Sequence, residues 1–208
     1  MTTLSNGGSL RRLSAAVPGG PEDQQVFRLA QLVLLLETAG KESVPVRTVD
    51  RLGFYDFFSA NPFVVISGED KRDVADRLTL RLAGFSNRQL SYASTGQRFT
   101  SRRRRLQHDL SVLVTYGLIT IRSDGYVLTE SGRALAVRLT SIYAEAYRDA
   151  AHVVLRRLKP LSDRQLTQRA ENWLGRSWLL IDVLDDVAET TPDAVRGRRS
   201  RGKHHGRR

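Results

Sequence analysis

Apolar residues recur at helical spacing through most of the chain, and proline, glycine and capping residues cut that pattern into separate elements. Residues 1–20 are rich in Ser, Gly and Thr, carry few large apolar groups and are expected to be disordered. From Pro21 the pattern changes. Pro21, Glu22 and Asp23 suit a first helical turn, and Val26, Leu29, Val33 and Leu36 follow at helical spacing, with Ala30 and Leu34 widening the stripe. Gly40 is the expected C-cap. A second helix is predicted over 46–59, through Val49, Leu52, Phe54, Tyr55, Phe57 and Phe58. Asn61-Pro62 ends it, because a residue before proline avoids the helical region. The four aromatics in five residues read first as core packing or a subunit contact.

Residues 63–99 are less regular: Val64-Val65-Ile66 suggests a short strand and 73–82 a helix, between breaks at Gly68, Gly84 and Gly96. The next stretch is the most informative. Thr100 or Ser101 is the expected N-cap of a helix with Leu106, Leu110, Leu113 and Val114 on its apolar face, ended by Gly117. Residues 118–122 then read as a strand, Ser123-Asp124-Gly125 as a tight turn and Tyr126-Val127-Leu128 as the returning strand. Thr129 or Ser131 caps another helix. Leu135, Leu139, Ile142, Ala146, Ala150, Val153 and Leu158 extend that helix over 130–159, roughly 45 Å at about 1.5 Å per residue. Pro160 stops it, Ser162 caps a helix bearing Leu166, Ala170 and Trp173, and a last apolar segment begins at Trp178.

The predicted fold is therefore mostly α with a small β-hairpin wing: a winged-helix core plus a long C-terminal helix. Helix, two-stranded hairpin, helix is the order of a winged-helix module, and the helix before the wing is the one such folds often present to a DNA major groove. The expected divisions are a disordered segment 1–20, the winged-helix core 21–129, the long and terminal helices 130–192, and a disordered basic tail 193–208.

Charge alters this picture locally. The 208 residues hold 33 Lys or Arg against 22 Asp or Glu, a net charge of +11, but seven of the basic residues lie after 193 and two, Arg11 and Arg12, before 21. The body is close to neutral. The tail has no aromatic residue and suits a polyanion without sequence preference or an inert solubilising end. No apolar run approaches the roughly 20 residues of a membrane span, and Arg11-Arg12 leads into a Gly/Pro-rich stretch, unlike a signal peptide. A soluble cytoplasmic protein, with no membrane partner, is expected.

Catalytic signals are poor. Zero cysteine rules out a thiolate zinc site and a cysteine nucleophile. The histidines, His108, His152, His204 and His205, form no HExxH pattern, and no GxxxxGK[ST] loop or GxSxG elbow occurs. His108 and Asp109 are neighbours, but adjacent helical residues point about 100° apart, so they read as two solvated polar groups. Asp182, Asp185, Asp186 and Glu189 read as a solvated helix face. No catalytic residue, metal or cofactor is expected, and the chain is not expected to be an enzyme.

The sharpest local feature is the run Arg102, Arg103, Arg104 and Arg105. Each carries a permanent charge and a planar fork suited to phosphate or guanine. Four successive residues span most of a helix circumference, so they cannot all face one groove. Arg103 falls at the edge of the apolar face, whereas Arg104, Arg105 and His108 are better aimed at a groove. The alternative is an acidic protein surface, with the stems covering apolar area.

The order of features resembles a family. Val26-Phe27-Arg28-Leu29, Asp50-Arg51-Leu52 with Tyr55-Asp56-Phe57, the arginine-rich helix, the hairpin, and Ser141-Ile142-Tyr143 with Ala151-His152-Val153-Val154 follow in turn. This arrangement, over about 24–175, resembles the small middle component of bacterial ABC-three-component systems, the accessory subunit of Lamassu-type anti-phage defence. The resemblance implies a non-enzymatic winged-helix adaptor that binds an SMC-like ABC ATPase and an effector such as a nuclease, with DNA contacted directly or through the complex. The long helix and the cluster Phe54, Tyr55, Phe57 and Phe58 are then expected partner-binding surfaces, and Arg102, Arg103, Arg104, Arg105 and His108 DNA- or partner-binding residues. The alternative function is a winged-helix transcription regulator.

Overall fold

Five consecutive apolar residues, Leu32 to Leu36, leave no polar face on the middle of the first helix, and such a helix has to be surrounded. In the computed structural model, which describes residues 21–66, 68–86, 95–123 and 125–175, it is the central element. Helix α1 (Gln25–Lys41) follows a 3-10 turn at Pro21–Asp23 and buries all five of those residues. Helix α2 (Val49–Ala60) and helix α6 (Ile142–Leu158) pack on it and on each other. Between them come a 3-10 turn (Pro62–Val65), α3 (Lys71–Leu82), α4 (Thr95–Thr115), the hairpin β1 (Ile119–Arg122) and β2 (Gly125–Leu128), and α5 (Glu130–Arg138); α7 (Asp163–Leu174) follows α6. One hydrophobic core draws residues from α1, α2, α4, α6, α7 and the hairpin. Small side chains help: Ala150 and Ala151 of α6 are fully buried, which lets its neighbours approach closely.

Local chemistry explains most element ends. The side chains of Thr48, Asp70, Thr129, Ser141 and Ser162 each accept a backbone N–H in the first turn of α2, α3, α5, α6 and α7. Ser162 and Gln165 complete a capping box. The strands are antiparallel with Ile119 opposite Leu128 and Arg122 opposite Gly125. The hairpin is seated by Tyr126, whose N–H donates to the Val46 carbonyl at 2.9 Å. Gly125 permits that approach: its φ is 112°, and a Cβ there falls 2.0 Å from the Val46 oxygen.

Several expectations need correction. The predicted helix over 130–159 is two helices, α5 and α6, separated by Leu139, Thr140 and Ser141. The Ser141 cap starts a new helix and resets the periodicity, so Ile142, expected on the buried face, is 90% exposed. Val26 is likewise exposed, because α1 enters the core only from Phe27 onward. Gly40 does not terminate α1, which continues to Lys41; the positive φ is taken by Ser43. Val64-Val65-Ile66 forms no strand, since Val64 and Val65 belong to the 3-10 turn that Pro62 begins. Helix α4 starts at Thr95, five residues before the expected cap, and Thr100 is buried with its hydroxyl donating to the Gly96 carbonyl. The N-terminal segment, the segment from Trp178 with its acids Asp182, Asp185, Asp186 and Glu189, and the basic tail lie outside the described residues.

Candidate functional site

Because α4 begins at Thr95, the arginine run starts in the third turn of the helix rather than at its N-terminus. Arg102 points inward. Its Nε and Nη2 donate to the two carboxylate oxygens of Asp56 on α2, and Nη2 also donates to Gln31 Oε1 on α1 at 2.7 Å. Burial opposes the charge on Arg102, but the Asp56 carboxylate outweighs that and raises its pKa above the ordinary guanidinium value. Gln31 donates in turn to the Tyr143 hydroxyl at 2.5 Å. The Tyr147 hydroxyl lies buried in the same region with no hydrogen-bond partner among the described residues, and burial lifts its pKa well above the usual phenol range.

Arg103, Arg105 and Arg98 of this helix also meet carboxylates of the same chain. Arg103 Nη2 donates to Asp50 Oδ1 at 2.7 Å, and Arg105 Nη1 to Asp23 Oδ1 at 3.0 Å. Arg98 reaches Glu22 at 3.7 Å. One helical turn below, Arg28 of α1 makes a two-pronged contact to Asp109, at 2.7 and 3.0 Å. Asp109 is only 2% exposed, which corrects its reading as a solvated group. Arg104 and His108 are exposed, and His108 Nε2 lies 3.1 Å from Gln25 Nε2.

The outcome is a polar cleft of about 330 Å³ between the Pro21–Asp23 turn and α4, lined by Glu22, Asp23, Arg28, Arg98, Arg102 and Arg105. Its cations face the chain's own acids. Arg102 is thus a buried tie between helices, and the structure brings Arg103 and Arg105 into exposed ion pairs of the kind worth little individually. Sequence reasoning missed Arg28, Gln31, Asp56 and Asp109 as members of this network. Their one signal was position: each is a polar residue in the buried phase of an amphipathic helix.

The aromatic cluster occupies the core. Phe54, Tyr55, Phe57 and Phe58 are 5, 0, 1 and 0% exposed and present no surface to a partner, which corrects their expected role. Phe54 stacks on Phe99 of α4 at 5.3 Å between centroids, Phe57 meets the same ring edge-on, and Phe58 meets Trp173 of α7. The Tyr55 hydroxyl accepts from Arg51 Nε at 2.7 Å, and Arg51 continues to Asp163 Oδ1 and the Leu161 carbonyl, joining α2 to the turn before α7.

A second concavity, apolar and about 720 Å³, lies between the end of α1 and the hairpin, lined by Leu36, Val44, Val46, Tyr126, Leu128 and Val137. Among the described residues no group of three or more His, Asp or Glu is placed to hold a metal ion, and no helix is long and apolar enough to cross a membrane.

Residues 89–178 match the family model of the ABC-three component (ABC-3C) system Middle Component 2. Over those residues the chain is similar to a middle component of such a system. The match spans under half of the chain and carries α4, the hairpin, α5, α6 and α7. No curated protein and no solved structure matches the chain.

Proposed function

We propose that this chain is a non-catalytic adaptor of winged-helix type in a bacterial anti-phage complex, joining an SMC-like ABC ATPase to an effector such as a nuclease. The observation that carries this reading is the match of residues 89–178 to Middle Component 2, which falls on the helix, hairpin and helix order α4–β1–β2–α5. The side-chain geometry is consistent with it. A DNA reader needs its cations aimed outward at phosphate, whereas Arg102, Arg103 and Arg105 are engaged with Asp56, Asp50 and Asp23 of the same chain. That counts against DNA contact by those three, and the alternative of a transcription regulator is left with Arg104 and His108, the exposed candidates of this helix. DNA contact by the assembly as a whole, Lamassu-type membership and cytoplasmic location belong to the same proposal.

Co-expression tests it. The full chain, produced with the ABC ATPase and effector encoded beside it, is expected to co-purify with both in fixed proportion. A monodisperse homodimer that footprints a palindromic operator and ignores the ATPase overturns the reading.

A further inference from the structure

Helix α3 is built inside out. A helix on a protein surface normally turns its aliphatics inward and its charges to water. Here the inward side consists of Asp73, Asp76 and Leu80, the three buried residues of the helix. Asp76 accepts from Arg156 and Arg157 of α6, and Asp73 accepts from Arg157 at 2.6 Å. The outward side carries Val74, Leu78 and Leu82 at i, i+4 and i+8, exposed by 52, 57 and 80%. At 100° per residue these three fall on the side opposite Leu80. Arg81 and Arg72 flank the stripe on its two sides, and Lys71 stands at its first turn; all three are exposed. The acids of the helix itself are both spent inward, while Asp70 caps the N-terminus and Glu69 precedes it.

We infer that the outer face of α3 is a docking surface for an amphipathic helix of a partner subunit, one whose aliphatic stripe is flanked by carboxylates. The stripe from Val74 to Leu82 is about 12 Å long, at about 1.5 Å per residue, which matches a little over two turns of such a helix. Charge selects this occupant. A second copy of the chain pairing through the same face sets Arg72 and Arg81 against their own counterparts, and like charges oppose that. An anionic membrane fits less well, because the face offers three aliphatic residues and no aromatic anchor. The inference rests on the reading of the chain as a subunit with protein partners.

The chain lacks cysteine, so Leu78→Cys places a single photo-crosslinker on this face of the full-length protein. In the complex with the neighbouring ATPase and effector, the crosslink is expected to land on a partner helix bearing Asp or Glu beside an aliphatic stripe. Leu78→Glu is expected to reduce co-purification at least tenfold, and Arg72→Glu with Arg81→Glu to reduce it in a salt-dependent way, with the helical circular dichroism of the free chain unchanged. Should Leu78→Glu not fold, the crosslink alone decides. Crosslinks confined to residues 176–208, to a second copy or to vesicles of phosphatidylserine overturn the inference. So does full assembly by Leu78→Glu, and in either case the adaptor reading stands. Failure of the unaltered chain to assemble overturns both.

Discussion

Arg102 and Asp56 form a buried two-pronged ion pair that fastens α4 to α2, with the carboxylate residue 3% exposed. Breaking one side of such a pair strands the other charge, a cost of roughly 3–5 kcal/mol. Arg102→Ala is therefore expected to lower the unfolding free energy by about that amount in urea titration. Arg104→Ala, at an exposed position two residues on, is expected to change it by less than about 1 kcal/mol. Equal losses from the two substitutions would contradict the buried tie.

Acid is expected to release α3 before it releases the centre of the fold. The hydrogen bond from Arg157 holds the Asp73 carboxyl below the usual carboxylate range, against a smaller opposing effect of burial. A folded pKa below the unfolded one means stabilisation that is present above the ordinary carboxylate pKa, about 4, and lost as pH falls through the lowered folded value. Amide exchange followed from pH 6 downward should show α3 losing protection at a higher pH than α1. Simultaneous loss in both helices would assign the acid transition elsewhere.

Two glycine substitutions should act in opposite directions. Gly125→Ala meets both a φ of 112° and the Val46 carbonyl, so at least about 1–3 kcal/mol of strain is expected. Gly40 lies in the last turn of α1 with nothing within 4 Å of an added Cβ, so Gly40→Ala is expected to stabilise by about 0.5–1 kcal/mol. Thermal melts of the two variants check the signs.

The break between α5 and α6 has its own test. If Ser141 caps a separate helix, Ser141→Ala loses the bond from the Ala144 N–H and about 0.5–2 kcal/mol of stability. A neutral result, or a gain, would favour one continuous helix through 130–159.

Much of the fold was legible because it rests on neighbours in sequence. Thr129 and Ser162 cap the helices expected of them, and the two strands pair antiparallel as expected of a hairpin. The aromatic run of α2 was legible as core material, and its reading as a partner surface failed because α4 and α7 supply Phe99 and Trp173 to cover it. The long helix failed for a subtler reason. Leu135, Leu139 and Ile142 keep helical spacing across the break, but a hydroxyl that captures the Ala144 N–H stops the ladder regardless of periodicity.

Most helices, the caps at Thr129 and Ser162 and the hairpin strands were thus determined by the sequence itself, since each depends on residues a few places apart. The tertiary structure alone decided what every charge faces. Arg28 meets Asp109 across 81 residues and Arg102 meets Asp56 across 46, pairings that no local pattern encodes. The physical reason is that an arginine's energy depends on its surroundings. In water four arginines are an invitation to phosphate, but beside the buried carboxylate of Asp56 one of them, Arg102, is an internal tie. The same dependence turned α3 into a helix with Asp73 and Asp76 inside and Val74, Leu78 and Leu82 out.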